Sequence, residues 1–144
     1  MDTKSQHLLI ELHGCDRAAL DDLERVELLL RDAATAAGAT VVEAVFHRFN
    51  PQGVTGVVVL EESHFSVHTW PEAGYAAADF FTCGDCEPER AVALLEAGFE
   101  AREVEVMRVD RGLPGAARSI APRYHHRSGT KATATTVEAI KASR

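Results

Sequence analysis

The apolar residues of the first 109 positions switch repeatedly between two periods, and the order of those switches narrows the fold to one class. From His7 to His13, Leu8, Ile10 and Leu12 alternate with His7, Leu9 and Glu11, the period of a strand. Gly14 breaks that run, and Asp16 has the side chain of a helix N-cap. From Ala18 to Ala37, Leu20, Leu23, Val26, Leu30, Ala33 and Ala37 recur at helical spacing, and Gly38 supplies the stop. Thr40 to Phe49 is β-branched and aromatic, hence a strand, and Asn50-Pro51-Gln52-Gly53 is a turn. Val54 to Leu60 predicts a third strand, the polar run after it a fourth ended by Pro71, and Tyr75 to Thr82 a fifth. Cys86-Glu87-Pro88-Glu89 opens a second helix with a stripe of Ala91, Leu94, Leu95 and Gly98, and Glu103 to Val109 alternates as a last strand. The order β-α-β-β followed by β-β-α-β predicts an α+β fold: a two-layer α/β sandwich with a mostly antiparallel sheet and two helices on one face.

The pattern bounds one domain, residues 1–111, followed by a tail, residues 112–144. The domain holds 21 acidic and 9 basic residues; the tail holds six basic residues and one acid, Glu138. Such a tail reads as a solvated, flexible extension, in which only Val137 to Ala142 has the spacing of a short helix. The acidic domain argues against nucleic acid as a partner and fits a cationic ligand. No run reaches the ~18 apolar residues of a membrane span, and the first residues lack the pattern of a signal peptide, so the expectation is a cytoplasmic protein without a membrane partner. The three cysteines, Cys15, Cys83 and Cys86, are an odd number, and disulfides are not expected. The only lysines are Lys4, Lys131 and Lys141, which leaves the patterned core without an amine to hold a carbonyl cofactor.

One stretch resists a purely structural account. LEESHFSVHTW, residues 60–70, puts two carboxylates, two serines and two histidines into one strand-like run. A sheet edge facing water would explain Ser63, His64, Ser66 and His68 without any chemistry. A hydrolase nucleophile is poorly supported, because no G-x-S-x-G elbow surrounds Ser63 and the adjacent His64 points to the opposite face. A metal site is also poorly supported. Cys83-Gly84-Asp85-Cys86 is a single C-x2-C, and His64 and His68, four apart in a strand, stand roughly 13 Å apart. No metal is expected.

The segment ESHFSVHTWPEAGYAAADFFTCG, residues 62–84, resembles the bacterial and archaeal S-adenosylmethionine decarboxylase proenzymes, as does HLLIELHGC, residues 7–15. The resemblance runs from about residue 6 to residue 111. It implies that the chain cuts itself between Glu62 and Ser63. The Ser63 hydroxyl would attack the Glu62 carbonyl carbon, an N→O acyl shift would give an ester, and loss of the Ser63 α-proton would expel the Glu62 carboxylate. Residue 63 would end as a pyruvoyl group at the head of an α chain 63–144, leaving a β chain 1–62. Such a ketone is the electron sink that decarboxylation of an α-amino acid needs, reached through a Schiff base with the substrate.

The same resemblance implies roles for single residues. His68 would remove the Ser63 α-proton during processing, a task that suits an imidazole because it can take up and release a proton near neutrality. Cys83 would return a proton to the substrate α-carbon, whereas Cys15 and Cys86 read as structural. Thr55 stands where the family usually has a serine that holds the oxygen of the processing intermediate; its methyl restricts χ1, which predicts slower processing. Phe49 would stack on the adenine and Glu72 would bind the ribose hydroxyls. The family also implies a homodimer with active sites at the subunit contact, and an uncovered sheet face is a reason to expect one. Two alternatives stay open: a pyruvoyl-dependent ornithine or arginine decarboxylase on the same scaffold, and a non-processing regulatory pseudoenzyme.

Overall fold

A computed structural model describes residues 3–83, 85–115, 121–128 and 135–137. Its strands are β1 (Ser5–His13), β2 (Val41–Arg48), β3 (Val54–Leu60), β4 (Ser63–Trp70), β5 (Tyr75–Cys83), β6 (Glu103–Arg111), β7 (Ala121–Ser128) and β8 (Thr135–Val137). The helices are α1 (Arg17–Asp21), α2 (Leu23–Ala36) and α3 (Pro88–Gly98). The strands form one sheet in the order β2-β3-β4-β5-β1-β6-β7-β8, and every pairing is antiparallel. β1 is thus inserted between β5 and β6, a long-range pairing that no local pattern announces.

One face of this sheet makes the core. Leu8, Ile10 and Leu12 of β1, Val58 and Leu60 of β3, Phe65 and Val67 of β4, Phe80 of β5 and Val104 of β6 are buried. They meet Val26, Leu30 and Ala33 of α2 and Ala91 and Leu95 of α3. The Phe65 and Phe80 rings pack at 4.5 Å in the middle. The two long helices pack closely enough that a Cβ at Gly98 would lie 2.5 Å from Leu29. The expected α+β sandwich, antiparallel and with its helices on one face, is the observed one.

Three local readings need correction. The helix read over 18–37 is two helices, because Asp22 leaves the helical conformation (φ −97°, ψ 102°) and caps α2, its carboxylate accepting from Arg25 N–H at 3.1 Å. Asp16 does the same for α1, accepting from Ala19 N–H at 3.0 Å. The segment after Gly112 was expected to hold no strand, yet β7 pairs with β6, and β8 with β7. The exposed edge of β6 offers a row of unpaired N–H and C=O groups, and a ladder recruits backbone regardless of side-chain period. Val137 is the last residue of β8, and the remainder of the expected Val137–Ala142 helix lies outside the described residues. Among the described residues no helix is long and apolar enough to cross a membrane.

Thr69 ties the layers together beneath the site. Its buried hydroxyl donates to the Leu20 carbonyl and accepts from Val54 N–H, both at 2.8 Å, joining β4 to α1 and β3. Thr69→Val keeps the shape and leaves both partners buried without a bond, a loss of about 2–4 kcal/mol. Thermal melts should show a midpoint lower by roughly 10 °C, while Thr69→Ser stays near the parent; equal melting of Thr69→Val and parent would deny the tie.

Candidate active site

Apart from Ser63, the chemistry-bearing strand residues stand on the sheet face that the helices leave open. Along β4, Phe65, Val67 and Thr69 are buried against the helices, so His64, Ser66, His68 and Trp70 face the other way. β4 is an interior strand, between β3 and β5, and not the water-facing edge considered from the sequence. Its neighbours fall into rows. His64 is level with Val59, Phe81 and His7; Ser66 with Val57, Asp79 and Leu9; His68 with Thr55, Ala77 and Glu11.

The Glu62–Ser63 bond lies at the turn of the β3–β4 hairpin. Leu60 pairs with Ser63, which leaves Glu61 and Glu62 as a two-residue loop. Glu61 N–H donates to the Thr40 carbonyl at 2.9 Å and fixes the loop against the start of β2. Glu62 has a φ of 63°, a left-handed conformation that costs roughly 1–2 kcal/mol for a residue with a Cβ. The peptide expected to break therefore follows a strained residue at an exposed turn, with Ser63 half-buried behind it. Cys83, the exposed last residue of β5, lies at this same end, two places beyond the His64–Phe81 pair. Its Sγ is 3.9 Å from that of Cys86. Cys15 is buried elsewhere, and burial pushes its thiol up to about 12, as suits a structural cysteine.

A second group gathers at the opposite end of the hairpin. Thr55 Oγ1 and His68 Nδ1 are hydrogen-bonded at 3.0 Å across β3 and β4. Trp70 stacks on Tyr75 at 5.3 Å, and Tyr75 donates to Glu11. Phe49 follows β2 at this end, 46% exposed and edge-on to His47 at 4.7 Å. The turn that carries it is held by Asp21, whose carboxylate accepts from Gly53 N–H at 2.8 Å and from Arg48 at 2.7 Å. Those two bonds keep the Asp21 carboxyl below its ordinary pKa. Glu72 is exposed in the 3-10 turn Pro71–Ala73 that follows β4. The structure thus brings Phe49, Thr55, His68 and Glu72 to one end and Glu62, Ser63 and Cys83 to the other. Ser63 and His68 are five residues apart along one strand, roughly 16 Å at ~3.3 Å per residue, and on opposite faces. One chain does not bring them into contact.

Sequence reasoning missed the polar network between these ends. Asp79 accepts from His7 at 2.8 Å, from His64 at 3.3 Å and from the Ser66 hydroxyl. Burial works to raise the Asp79 pKa, but the bonds from Ser66, His7 and His64 outweigh it and leave the carboxyl below its ordinary value. It is an anion at neutral pH. The Arg111 guanidinium donates to His7 Nδ1 at 3.1 Å, which leaves the His7 proton on Nε2, facing Asp79. A cation at that nitrogen would have to displace this proton, although His7, His64 and Asp79 all bring ligand atoms within 4.8 Å of one another. The signal that could have revealed the network is Asp79 itself, the one charged residue in Tyr75–Thr82. Its partners come from β1 and β4, and only the strand order joins them.

Comparison with known proteins shows the family. The family model described as S-adenosylmethionine decarboxylase matches residues 6–112. An S-adenosylmethionine decarboxylase proenzyme from Caldanaerobacter subterraneus subsp. tengcongensis is 48% identical over 114 residues, 78% of this chain and 92% of that protein. A proenzyme of the same name from Pelotomaculum thermopropionicum is 50% identical over 109 residues, 75% of this chain and 86% of that protein. The crystal structure of the adenosylmethionine decarboxylase from Aquifex aeolicus superposes with a TM-score of 0.72 at 32% identity, covering 83% of this chain and 99% of that one. With the match extending over most of its length and over the whole sheet-and-helix core, this chain belongs to the S-adenosylmethionine decarboxylase family.

Proposed function

We propose that this chain is made as a precursor, cuts itself between Glu62 and Ser63, and decarboxylates S-adenosylmethionine with the pyruvoyl group so formed. The product is the aminopropyl donor for spermidine synthesis. The observation that carries the reading is the hairpin turn in which strained Glu62 precedes Ser63, with Cys83 beside it, in a chain of this family. Strain ahead of the scissile carbonyl raises the energy of the uncut peptide relative to the ester, and the exposed turn leaves room for the carbonyl to become tetrahedral. The pyruvoyl carbonyl supplies the electron sink for loss of CO₂. Cys83, as a thiol, returns a proton to the substrate α-carbon. The carboxylates of the domain favour the sulfonium cation, Phe49 offers its face to the adenine, and Glu72 accepts from the ribose hydroxyls.

The separation of His68 from Ser63 is resolved by a second copy. Exposed Val45 and Val57 on one side and Leu9 on the other flank Ser66 and Asp79 in a single row across the middle of the open face. That row lies midway between the two ends. A two-fold axis through it would lay one sheet on the other and set Thr55, His68, Phe49 and Glu72 of each copy against Ser63 and Cys83 of its partner. In this arrangement Thr55 holds the His68 ring for attack on the partner's residue 63. Residues 1–111 then form the working domain, cut into 1–62 and 63–111, and residues 112–144 continue the second chain.

Intact mass of the purified protein should show two chains, and Ser63→Ala one. The two-chain form should release CO₂ from S-adenosylmethionine and not from ornithine or arginine; a lasting single chain with full turnover would remove the proposal. The shared site has its own test. Ser63→Ala and His68→Ala should each be inactive alone, with processing of His68→Ala slowed about 10²–10⁴-fold. Co-expressed, they should recover about a quarter of wild-type turnover, since half the dimers carry one complete site of two. Absence of any recovery would mean that each chain builds its own site. At position 55, Thr55→Val should slow cleavage during expression, and Thr55→Ser should speed it; the cleaved fraction over time reads both, and equal rates for all three chains would take Thr55 out of processing.

A further inference from the structure

We infer that Cys83 and Cys86 form a peroxide-sensitive thiol pair whose closure to a disulfide switches the enzyme off reversibly. The inference rests on the reading of Cys83 as the proton donor. Nothing in the reaction requires a second thiol there, yet the two sulfurs lie 3.9 Å apart, already in contact. Cys86 N–H donates to the Cys83 carbonyl at 3.4 Å, a turn that folds the second cysteine back onto the end of β5. Immediately beyond, Glu87 N–H donates to the Ala37 carbonyl at 2.9 Å, so the far side of the turn is pinned to the end of α2. Bond formation needs the sulfurs to approach to ~2.05 Å, a closure of about 2 Å.

The two thiols differ in access. In the single chain Cys83 is exposed and Cys86 half-buried, and as the group that protonates substrate Cys83 faces the path by which substrate enters, so a small oxidant taking that path meets Cys83 first. The Cys83 sulfur attacks one oxygen of hydrogen peroxide, the O–O bond breaks, and Cys83 becomes a sulfenic acid with release of water. The Cys86 sulfur, as thiolate, then attacks the Cys83 sulfur, the S–O bond breaks and a second water leaves. The two thiols give up two electrons, and peroxide is reduced to two waters. Burial pushes the Cys86 thiol up, and the neighbouring Cys83 and Asp85 add to it, so closure quickens as pH rises above neutral. The disulfide leaves Cys83 with no proton to give. It also spares Cys83 from sulfinic acid, which a lone thiol at an open site reaches under excess peroxide.

The processed protein separates the cysteines conveniently. Cys83 and Cys86 lie on the 63–144 chain and Cys15 on the other. After limited peroxide, the intact mass of the 63–144 chain should fall by two hydrogens, CO₂ release from S-adenosylmethionine should fall in the same proportion, and dithiothreitol should restore both. Cys86→Ser should begin with the activity of the parent, then lose it to peroxide through added oxygen and fail to recover with dithiothreitol. A 63–144 chain that gains oxygen and never loses hydrogen overturns the proposal. So does a disulfide that leaves turnover intact, or a Cys86→Ser variant that recovers as fully as the parent. Cys83→Ala, measured without oxidant, isolates the underlying reading: wild-type turnover there would refute the proton-donor role, while the disulfide is still read from mass alone.

Discussion

Side-chain alternation along β4 is the constraint on which the rest depends. A strand inside a sheet shows one set of residues to each face, and here the two sets do different work. Phe65, Val67 and Thr69 close the core against α1 and α2. His64, Ser66 and His68 carry polar chemistry on the other side. A slip of one residue in the ladder would bury the histidines and expose the phenylalanine, so the packing that stabilises the core also fixes the positions of His64, Ser66 and His68.

The open face combines two features that usually conflict. It exposes Leu9, Val45 and Val57, and it keeps Asp79 ionised beside them. Burying a carboxylate costs several kcal/mol unless its oxygens are satisfied. Here Ser66, His7 and His64 all reach Asp79, and Arg111 stands behind His7. The carboxylate is satisfied by side chains from β1 and β4, with Arg111 of β6 behind them, within the single chain. An apolar surface and a satisfied anion can then go under one cover together.

Much of this was legible in the residues because much of it is local. Period-two and period-3.6 runs gave the elements, and Leu8, Ile10, Leu12, Val26 and Leu30 gave both layers of the core. The central motif drew attention because two histidines and two serines in one strand have no packing reason to be there. What escaped was non-local. Asp22 looked like any polar residue on a helix surface, and only its cap geometry splits α1 from α2. The Asp79 network needs β1 to lie between β5 and β6, a pairing between segments some 70 residues apart. The strands after Gly112 have no apolar alternation, since their reason to form is the ladder of β6 rather than a core. The division of the expected site into two ends follows from counting rungs on the β3–β4 hairpin, which requires knowing its register.

The place of β1 also decides what the proposed self-cleavage could and could not do to the molecule. It is hydrogen-bonded to β5 on one flank and to β6 on the other, and both of those strands lie beyond residue 63. A break at the hairpin therefore frees an end without freeing a fragment: the shorter polypeptide stays threaded through the middle of the longer one. Losing it would mean opening the sheet at its centre, and regaining it would be a meeting of two molecules. Cleavage there, as proposed, would turn a self-contained folding problem into one that depends on concentration, and a nicked molecule once melted would have no intramolecular route home.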